Sequence, residues 1–344
     1  MTRPPAFRQR VAQALTDRQV AAAVQVATWR KVELRAAGLK ELRNAEELRD
    51  LAAAIKRHTL ANLPRYLEQF IEQVRRHGAQ VHIAPDAAAA RALVCDLAGR
   101  YGARLAVKVK SMTTEEVELN PALEAAGVRV VETDLGEFIL QLAGDRPSHI
   151  TAPVIHKDRR QIAALLARSL GATYTEQIPE LTQIARRHLR EVFRRCDLGI
   201  SGVNFAIAET GTICICTNEG NGRMCTTRPR VHVALMGIEK LIPRWRDLPV
   251  FLKLLSRSSG GQPLGSYTTL ITGPRRPQDP DGPDQLHVIL LDNGRSRTLV
   301  GPFAEVLACV RCGACLNACP VSVSYTHLRA HETPEHLVCR LLLE

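Results

Sequence analysis

Between residues 78 and 142, short apolar runs of strand length alternate with segments in which apolar residues recur at helical spacing. Strand and helix in turn form βαβ units, which build a mostly parallel sheet with helices on both faces. We therefore predict an α/β domain over residues 78–300. Its first elements are strand 81–84, helix 86–100, strand 105–109, helix 113–126, strand 128–131 and helix 135–142, and its later strands are 149–155, 231–235, 270–272 and 287–291.

The residues before this domain are predicted to be helical. Residues 6–77 are rich in Ala, Leu, Arg, Glu and Gln, and their apolar residues recur at helical spacing. Gly78 stands where the C-cap of a helix belongs. Residues 1–77 are therefore predicted to form a helical N-terminal segment.

Four cysteines near the end of the chain indicate metal chemistry. Cys309, Cys312, Cys315 and Cys319 precede Pro320 with the spacing C-x2-C-x2-C-x3-C-P, which is that of a bacterial-ferredoxin cluster loop. Neither one helix face nor one strand can present three such close thiolates, but a tight loop containing Gly313 can. A zinc site or plain buried thiols are the alternatives, although zinc ligands usually come as separated pairs.

The fourth cysteine has a separate role in this motif. In two-cluster ferredoxins the cysteine before the proline binds the other cluster, so Cys309, Cys312 and Cys315 need a further ligand from a second run. The 344 residues contain no second run. We predict the first half of a ferredoxin-type [4Fe–4S] module over residues 301–321, which would transfer single electrons.

Composition limits the compartment and the partners. The net charge of +11 is spread among Glu and Asp, and only 4% of the residues are aromatic, so a surface for nucleic acid is not expected. The N-terminus lacks the apolar run of a signal peptide, and no segment has the length of a membrane span. We expect a cytoplasmic protein without direct membrane insertion, whose ten cysteines serve metal or redox chemistry.

A first candidate ligand site follows the predicted strand 105–109. Lys110 and Ser111 would stand beside a helix N-terminus, where a carboxylate or phosphate is favoured. Thr113 and Glu116 have the spacing of a capping box. Lys110, Ser111 and Thr113 are therefore candidate cofactor-binding residues, and a capped helix without a ligand is the alternative. The similar turn with Asp134 and Glu137 is interpreted as a structural cap.

A second candidate site lies in residues 199–223, where two apolar strands flank Glu209-Thr210-Gly211-Thr212 and a turn rich in Gly and Asn follows. A carboxylate and two hydroxyls are costly to bury, which favours a cleft, although a hydrogen-bonded hairpin is equally compatible. Glu209 is the candidate catalytic residue. The other candidate ligands here are Thr210, Thr212, Asn218 and Asn221.

The remaining cysteines and histidines are interpreted as structural. Cys214 and Cys216 alternate along one strand and so share a face, and Cys225 lies beyond the turn. The histidines at 149, 156 and 188 show no ligand spacing.

Together these motifs resemble the lactate utilization protein B family over most of the chain, up to about residue 321. The resemblance is carried by Lys110-Ser-Met-Thr-Thr-Glu-Glu, Glu132-Thr-Asp-Leu-Gly-Glu, Pro147-Ser-His-Ile, Ile155-His-Lys, the run from Gly199 through Thr212, Thr217-Asn-Glu-Gly-Asn-Gly-Arg, Ile271-Thr-Gly-Pro-Arg-Arg and the Cys309 motif. It implies an iron–sulfur subunit of a multi-component system that oxidises L-lactate to pyruvate. It also implies two partners, a second cysteine-rich iron–sulfur subunit and a smaller subunit with the same LUD domain.

The resemblance further implies a domain of the sugar-isomerase and CoA-transferase class, and two [4Fe–4S] clusters in the complete protein. The chain departs from the family after Val321, where a second cluster run is expected. We predict that residues 322–344 are a non-native tail joined to a truncated sequence. His327, His331, His336 and Cys339 in this tail are not predicted to bind zinc, because their spacing is irregular.

Two other functions are compatible with parts of the sequence. The chain could be a stand-alone enzyme of the isomerase or transferase type, with Glu209 as nucleophile or base and a structural cluster. The hypothesis of an iron–sulfur regulator that binds nucleic acid rests on the net charge alone, since the sequence shows no helix-turn-helix or other nucleic-acid-binding motif. The sequence favours the electron-transfer subunit.

Overall fold

The computed structural model describes Thr16 and residues 18–319. Three helices come first: α1 (Arg18–Lys40), α2 (Ala45–Ala61) and α3 (Leu63–Arg76). The predicted helical segment is thus confirmed from residue 18 onward, while residues 6–15 and the tail after Cys319 lie outside the described residues. Gly78 follows α3 with a φ of +84°, a left-handed conformation that suits glycine.

A six-stranded parallel sheet forms the centre of the molecule. The spatial order is β1-β10-β7-β4-β2-β3. The strands are β1 (Gln80–Ala84), β2 (Leu105–Lys108), β3 (Arg129–Glu132), β4 (Leu198–Ser201), β7 (Val231–Gly237) and β10 (Gln285–Leu291). In the middle of the sheet Val231 pairs with Leu198 on one side and Gln285 on the other, which fixes the register of the central strands.

Helices cover both faces of this sheet, as the alternating sequence predicts. The helices that follow β1 are α4 (Ala87–Arg100), α5 (Met112–Glu116), α6 (Leu119–Ala125), α7 (Leu135–Ala143), α8 (Arg159–Leu170), α9 (Ile178–Arg195), α10 (Asn221–Thr227), α11 (Leu248–Gly260), α12 (Arg295–Leu299) and α13 (Ala314–Ala318). Of these, α4 and α6 pack on one face and α8 and α9 on the other. Ala106 belongs to the core beneath α4 and α6, whereas its neighbour Val107 belongs to the core beneath α8 and α9. Successive strand residues thus supply opposite faces, which explains the continuous apolar runs.

A second sheet has four strands in the order β8-β5-β6-β9. They are β5 (Phe205–Ile207), β6 (Thr212–Thr217), β8 (Leu241–Ile242) and β9 (Tyr267–Ile271). Here β6 runs antiparallel to both β5 and β9. The sheet packs against α11, and the rings of Phe205 and Phe251 lie 5.1 Å apart. The fold is therefore mixed α/β with a parallel central sheet, and the strand predicted at 270–272 belongs to this smaller sheet.

Two predicted elements are wrong. Residues 149–155 form turns instead of a strand, because the N–H and hydroxyl of Ser148 both donate to the Pro153 carbonyl, each over 2.9 Å, and close a loop. The helix predicted over 113–126 is broken into α5 and α6 at Glu118, whose φ of 51° is left-handed.

The sheet order creates a topological switch point between β2 and β4. From β2 the chain crosses to β3 on one side, whereas from β4 it goes to β7 on the other. In open α/β sheets, ligands bind in the crevice outside the carboxyl ends of the strands at such a point. The residues that follow β2, β4, β7 and β10 therefore define the region in which a functional site is expected.

Candidate functional site at the carboxyl edge of the parallel sheet

Ser111 and Gly202 meet at the switch point. Ser111 precedes α5, and its hydroxyl accepts a hydrogen bond from the Thr114 N–H over 3.3 Å. A Cβ on Gly202 would lie 2.5 Å from Ser111 Oγ. Glycine is thus required after β4 so that the chain can approach the start of α5. The residue that caps α5 is Ser111, so the predicted capping box of Thr113 and Glu116 is wrong: Thr113 is a buried residue in the first turn.

Lys110 contacts carboxylates of its own chain. Its ammonium group donates to Glu137 and lies 3.8 Å from Glu115. Burial opposes the charged form, but these carboxylates outweigh it, so the pKa of Lys110 is raised. The cap interpretation of Asp134 is confirmed, since its carboxylate accepts from the Gly136 N–H, whereas Glu137 serves as the partner of Lys110.

The loop between α7 and α8 brings a buried histidine to the same region. His149 Nδ1 lies 3.1 Å from the Thr151 N–H, and the Thr151 hydroxyl accepts from Lys31 of α1 over 2.8 Å. Burial, together with the charges of Lys31 and Lys110, lowers the pKa of His149 to about 4. Its Nε2 makes no hydrogen bond of normal geometry within the described chain, although the Asn317 side chain of α13 is near enough to favour the protonated ring.

The cysteine loop, residues 309–319, covers this edge of the sheet. It follows a 3-10 helix at Ala304–Ala308 and ends with α13, which packs against α1. Arg311 and Gly313 are left-handed, with φ of 57° and 78°, and so make a tight loop around Cys312. A Cβ on Gly313 would lie 2.9 Å from the Thr151 side chain, so this glycine allows close contact with the loop that carries His149.

The donor chemistry of the loop fits an iron–sulfur cluster. The Arg311 N–H donates to Cys309 Sγ over 3.3 Å, and the Ala314 backbone N–H hydrogen-bonds to Cys312, which favours its thiolate although burial raises the pKa of that thiol overall. N–H donors to sulfur are one of the means by which proteins tune such clusters. Within residues 18–319, however, no three His, Cys, Asp or Glu side chains stand together as a metal-ligand group.

A charge network of buried and partly buried side chains fixes the cysteine loop to the strand ends. We use the name charge network for Glu116, Glu239, Arg295 and Arg311. Arg311 donates to Glu116 over 3.1 Å, and Arg295, which follows β10, donates to Glu116 over 2.8 Å and to Glu239 over 2.6 Å. Glu239 follows β7, and Glu116 lies in the segment after β2. The network therefore joins the ends of β2, β7 and β10 to the cysteine loop. Burial would raise the pKa of Glu239, but Lys240 and Arg295 lower it to about 2.

Two further cations lie beside this network. Lys56 of α2 donates to the backbone carbonyl of Glu239, and Lys240 Nζ lies 3.6 Å from Glu239 Oε1. Both lysines are buried, with exposed fractions of 5% and 7%. Burial and the charge of Lys240 lower the pKa of Lys56 to about 8.

The second predicted site lies in the smaller sheet. Glu209 is exposed in the turn between β5 and β6, where its carboxylate accepts from the Trp245 N–H over 2.7 Å. Thr210 donates to Thr212 over 2.9 Å, and Thr212 lies 3.0 Å from the Thr272 hydroxyl. These residues form the hydrogen-bonded hairpin that the sequence allowed as an alternative to a cleft.

Asn218 and Asn221 are separated from Glu209 by the length of β6. Asn218 accepts from the Ser266 N–H over 3.3 Å at the surface. Asn221 is buried and donates to Thr133, which follows β3, over 3.3 Å; its Oδ1 has no partner in the described structure. Asn221 therefore belongs to the carboxyl edge of the parallel sheet, with Lys110 and Ser111.

The three thiols predicted to be structural are partly or fully buried. Cys214 and Cys216 share one face of β6, with their sulfurs 3.9 Å apart. Cys225 is fully buried and lies 3.2 Å from the Thr133 hydroxyl.

Sequence reasoning missed the residues that connect these segments. Lys31, Lys56, Glu239 and Arg295 are each separated by long stretches of chain from the groups that they contact. One available signal was the presence of isolated charged residues directly after apolar strands, as at Glu239 and Lys240 after β7. No helix in the described part of the chain is both long enough and apolar enough to cross a membrane.

Comparison with known proteins identifies relatives across nearly the whole sequence. Residues 67–291 match the LUD domain family. The chain is 44% identical over 325 residues to a protein of Escherichia coli K12 named uncharacterized electron transport protein YkgF, a match that covers 94% of this chain and 68% of the relative. It is 43% identical over 327 residues to lactate utilization protein B of Bacillus subtilis, covering 95% of this chain and 68% of that protein.

A solved structure gives a weaker likeness. It is the crystal structure of a DUF162 family protein from Deinococcus radiodurans, with a TM-score of 0.35 and 15% sequence identity, covering 67% of this chain and 98% of the other. At that TM-score the likeness does not establish a shared fold. The sequence matches are decisive by themselves: the chain belongs to the LUD domain family, with lactate utilization protein B among its relatives.

Proposed function

We propose that this protein is a cytoplasmic iron–sulfur electron-transfer subunit of a multi-component system that oxidises L-lactate to pyruvate. The observation that carries the proposal is the position of the cysteine loop. Four cysteines with ferredoxin spacing lie over the carboxyl edge of the parallel sheet, held there by the bond from Arg311 to Glu116. Relatives named for electron transport and for lactate utilization support the same conclusion.

In this proposal Cys309, Cys312 and Cys315 are ligands of one [4Fe–4S] cluster, and Cys319 is a ligand of a second cluster. The loop is the first half of a ferredoxin-type module, and the complete protein holds two clusters. A bound cluster supplies one-electron transfer. The chain's own contribution is to fix the loop, to donate N–H groups to the sulfurs and to place charge beneath them.

The proposed partners are a second cysteine-rich iron–sulfur subunit and a smaller LUD-domain subunit. The crevice beside Lys110, Ser111 and Thr113 is the proposed place for the carboxylate of L-lactate or pyruvate. Lys31 supports this, because it places a second ammonium group near Lys110. The pKa of Lys31 is lowered mainly by burial and further by the charge of Lys110. An incoming carboxylate would exchange with Glu137 as the partner of Lys110.

The direct test is anaerobic reconstitution of the chain with the proposed partner subunits. Addition of L-lactate should reduce the clusters, as followed by visible absorption and electron paramagnetic resonance, and D-lactate serves as the stereochemical control. Reduction by L-lactate supports the proposal. Unchanged spectra with all partners present contradict it.

The alternative is an isomerase-type or transferase-type enzyme in which Glu209 is the nucleophile or base and the cluster is structural. The exposed carboxylate of Glu209 favours access by a substrate. Under this alternative, Glu209→Gln abolishes turnover and leaves cluster content unchanged. Under the electron-transfer proposal, the same variant retains cluster reduction by L-lactate, because the hydrogen bonds that the described structure gives Glu209 go to Trp245 and Pro243 and not to the network that holds the cysteine loop.

A further inference from the structure

Beneath the cysteine loop, cations outnumber carboxylates among the buried and partly buried side chains. Lys56, Lys240 and Arg295 are buried, and Glu239 is the buried carboxylate among them. The partly buried members of the charge network, Arg311 and Glu116, add one charge of each sign. Buried charges are normally paired, because removing an ion from water costs several kcal/mol. An excess of two positive charges in such a place indicates that an anionic group belongs beside them.

The two lysines carry this excess. Arg295 is fully engaged, since it donates to both Glu116 and Glu239. Lys56 has only the neutral carbonyl of Glu239 as its hydrogen-bond acceptor among the described residues. Lys240 has Glu239 at 3.6 Å, which is too long for a normal hydrogen bond, and that carboxylate already binds Arg295.

The position of these lysines points to the cysteines as the missing anion. Lys56 lies on α2, and α2 packs against the 3-10 helix Ala304–Ala308, which leads directly into Cys309. Ile55, the neighbour of Lys56 on α2, belongs to the apolar cluster against which Val310 and Cys312 of the cysteine loop pack. Lys240 lies 3.6 Å from the Glu239 carboxylate, and Lys56 donates to the backbone carbonyl of the same residue, so both lysines lie on this side of the loop.

A further cation lies on the other side of the loop. Arg35 lies on α1, which packs against α13 of the cysteine loop, and the Arg35 Nε atom is buried without a hydrogen-bond partner in the described part of the chain. Cations therefore lie near the loop on α1 (Arg35), on α2 (Lys56) and directly after Glu239 (Lys240).

We propose that Lys56 and Lys240 are positioning residues that compensate the negative charge of a cluster held by the cysteine loop and thereby raise its reduction potential. The inference rests on the proposed function. A cluster bound by cysteine thiolates is anionic and gains one more negative charge on reduction, so nearby buried cations stabilise the reduced form more than the oxidised form. The effect should be large here because the lysines are shielded from water.

The test compares midpoint potentials in the full chain. Wild type, Lys240→Met and Lys56→Met are reconstituted anaerobically with iron and sulfide in excess dithiothreitol, whose thiolate can complete the ligand set. Methionine keeps the length and apolar body of lysine and removes the ammonium group, with its charge and its hydrogen-bond donors. Lys253→Met is the matched control, because Lys253 is exposed on α11. Potentiometric titration followed by electron paramagnetic resonance gives each potential without any turnover assay.

Each buried-lysine variant should be roughly tenfold harder to reduce, which for a one-electron couple is a midpoint shift of about 59 mV to more negative potential. The Lys253→Met potential should equal that of the wild type. If Lys240→Met does not fold, Lys56→Met decides the question. Equal potentials in wild type and Lys56→Met overturn the inference and leave the proposed function intact, whereas a wild-type chain that takes up no cluster overturns both.

Discussion

Arg311, in the middle of the cysteine loop, donates to Glu116 at the end of α5 with 3.1 Å between Nη2 and Oε2. The two residues are 195 positions apart in the sequence. Since Glu116 also accepts two hydrogen bonds from Arg295, this one carboxylate joins the cysteine loop to the carboxyl edge of the parallel sheet. The position of the loop is thus set by a partly buried ion pair in addition to apolar packing.

Removing the charge of Glu116 should destabilise the protein measurably. In Glu116→Gln, two arginines lose their shared carboxylate in a largely buried place, and we expect the free energy of unfolding to fall by about 2 kcal/mol. Urea unfolding measures it. The matched control is Asp96→Asn, whose partner Arg100 lies 2.7 Å away at the surface, with both side chains more than half exposed. A change of about 0.5 kcal/mol or less is expected there, and equal losses in both variants would contradict the account.

His149 should make stability depend on pH. Its pKa is about 4 in the folded chain, below the ordinary value of 6.5, mainly because of burial and then because of Lys31 and Lys110. Between these two values the unfolded chain binds more protons, so the free energy of unfolding falls as the pH is lowered from 6.5 toward 4, by up to about 1.4 kcal/mol per unit. Above pH 6.5 the group contributes no pH dependence.

The variant His149→Asn isolates this effect. Other buried histidines such as His232 and His287 also have lowered pKa values, but they are common to both proteins. Urea unfolding at several pH values should therefore give a shallower slope in the variant than in the wild type. Identical slopes would mean that folding does not lower the pKa of His149 and would contradict the account.

Gly237 should not tolerate a side chain. A Cβ at this position would overlap Glu239 Oε2 and lie 2.5 Å from Arg295 Nε, so Gly237→Ala must displace the buried pair. We expect a loss of about 1–3 kcal/mol in the free energy of unfolding. Gly99→Ala in α4 is the control, because nothing lies within 4 Å of a Cβ there, and alanine should stabilise that helix by up to about 1 kcal/mol. A neutral Gly237→Ala would show that the network can move at little cost.

Much of the central sheet was predictable from the sequence. The predicted strands at 81–84, 105–109 and 231–235 agree with β1, β2 and β7 to within two residues at each end. For β2 and β7 this succeeded because parallel strands buried on both faces are continuous apolar runs, which are easily recognised. The edge strand β1 is partly exposed and was recognised from its short apolar run between helices. The helical character of residues 18–76 followed from their helical spacing, whereas the division of this segment into three helices was not predicted.

The failures have local and long-range causes. Residues 149–155 contain β-branched residues but are closed into a loop by Ser148 and Pro153, a contact that periodicity does not report. The capping box predicted at Thr113 is wrong because the N-cap of α5 is Ser111, two residues earlier. The charge network was not predictable, since a parallel sheet brings together strand ends that are far apart in sequence.

The central claim is that the cysteine loop binds an iron–sulfur cluster, and anaerobic reconstitution with iron and sulfide in dithiothreitol tests it most directly. Iron and sulfide content and visible absorption would be measured for the wild type, for Cys312→Ser, and for Cys95→Ser as the control, because Cys95 lies on α4 outside the motif. We predict a broad visible absorption that dithionite bleaches in the wild type and in Cys95→Ser, and its loss in Cys312→Ser. A wild-type chain without bound iron and sulfide, or a Cys312→Ser variant that keeps both, would contradict the account.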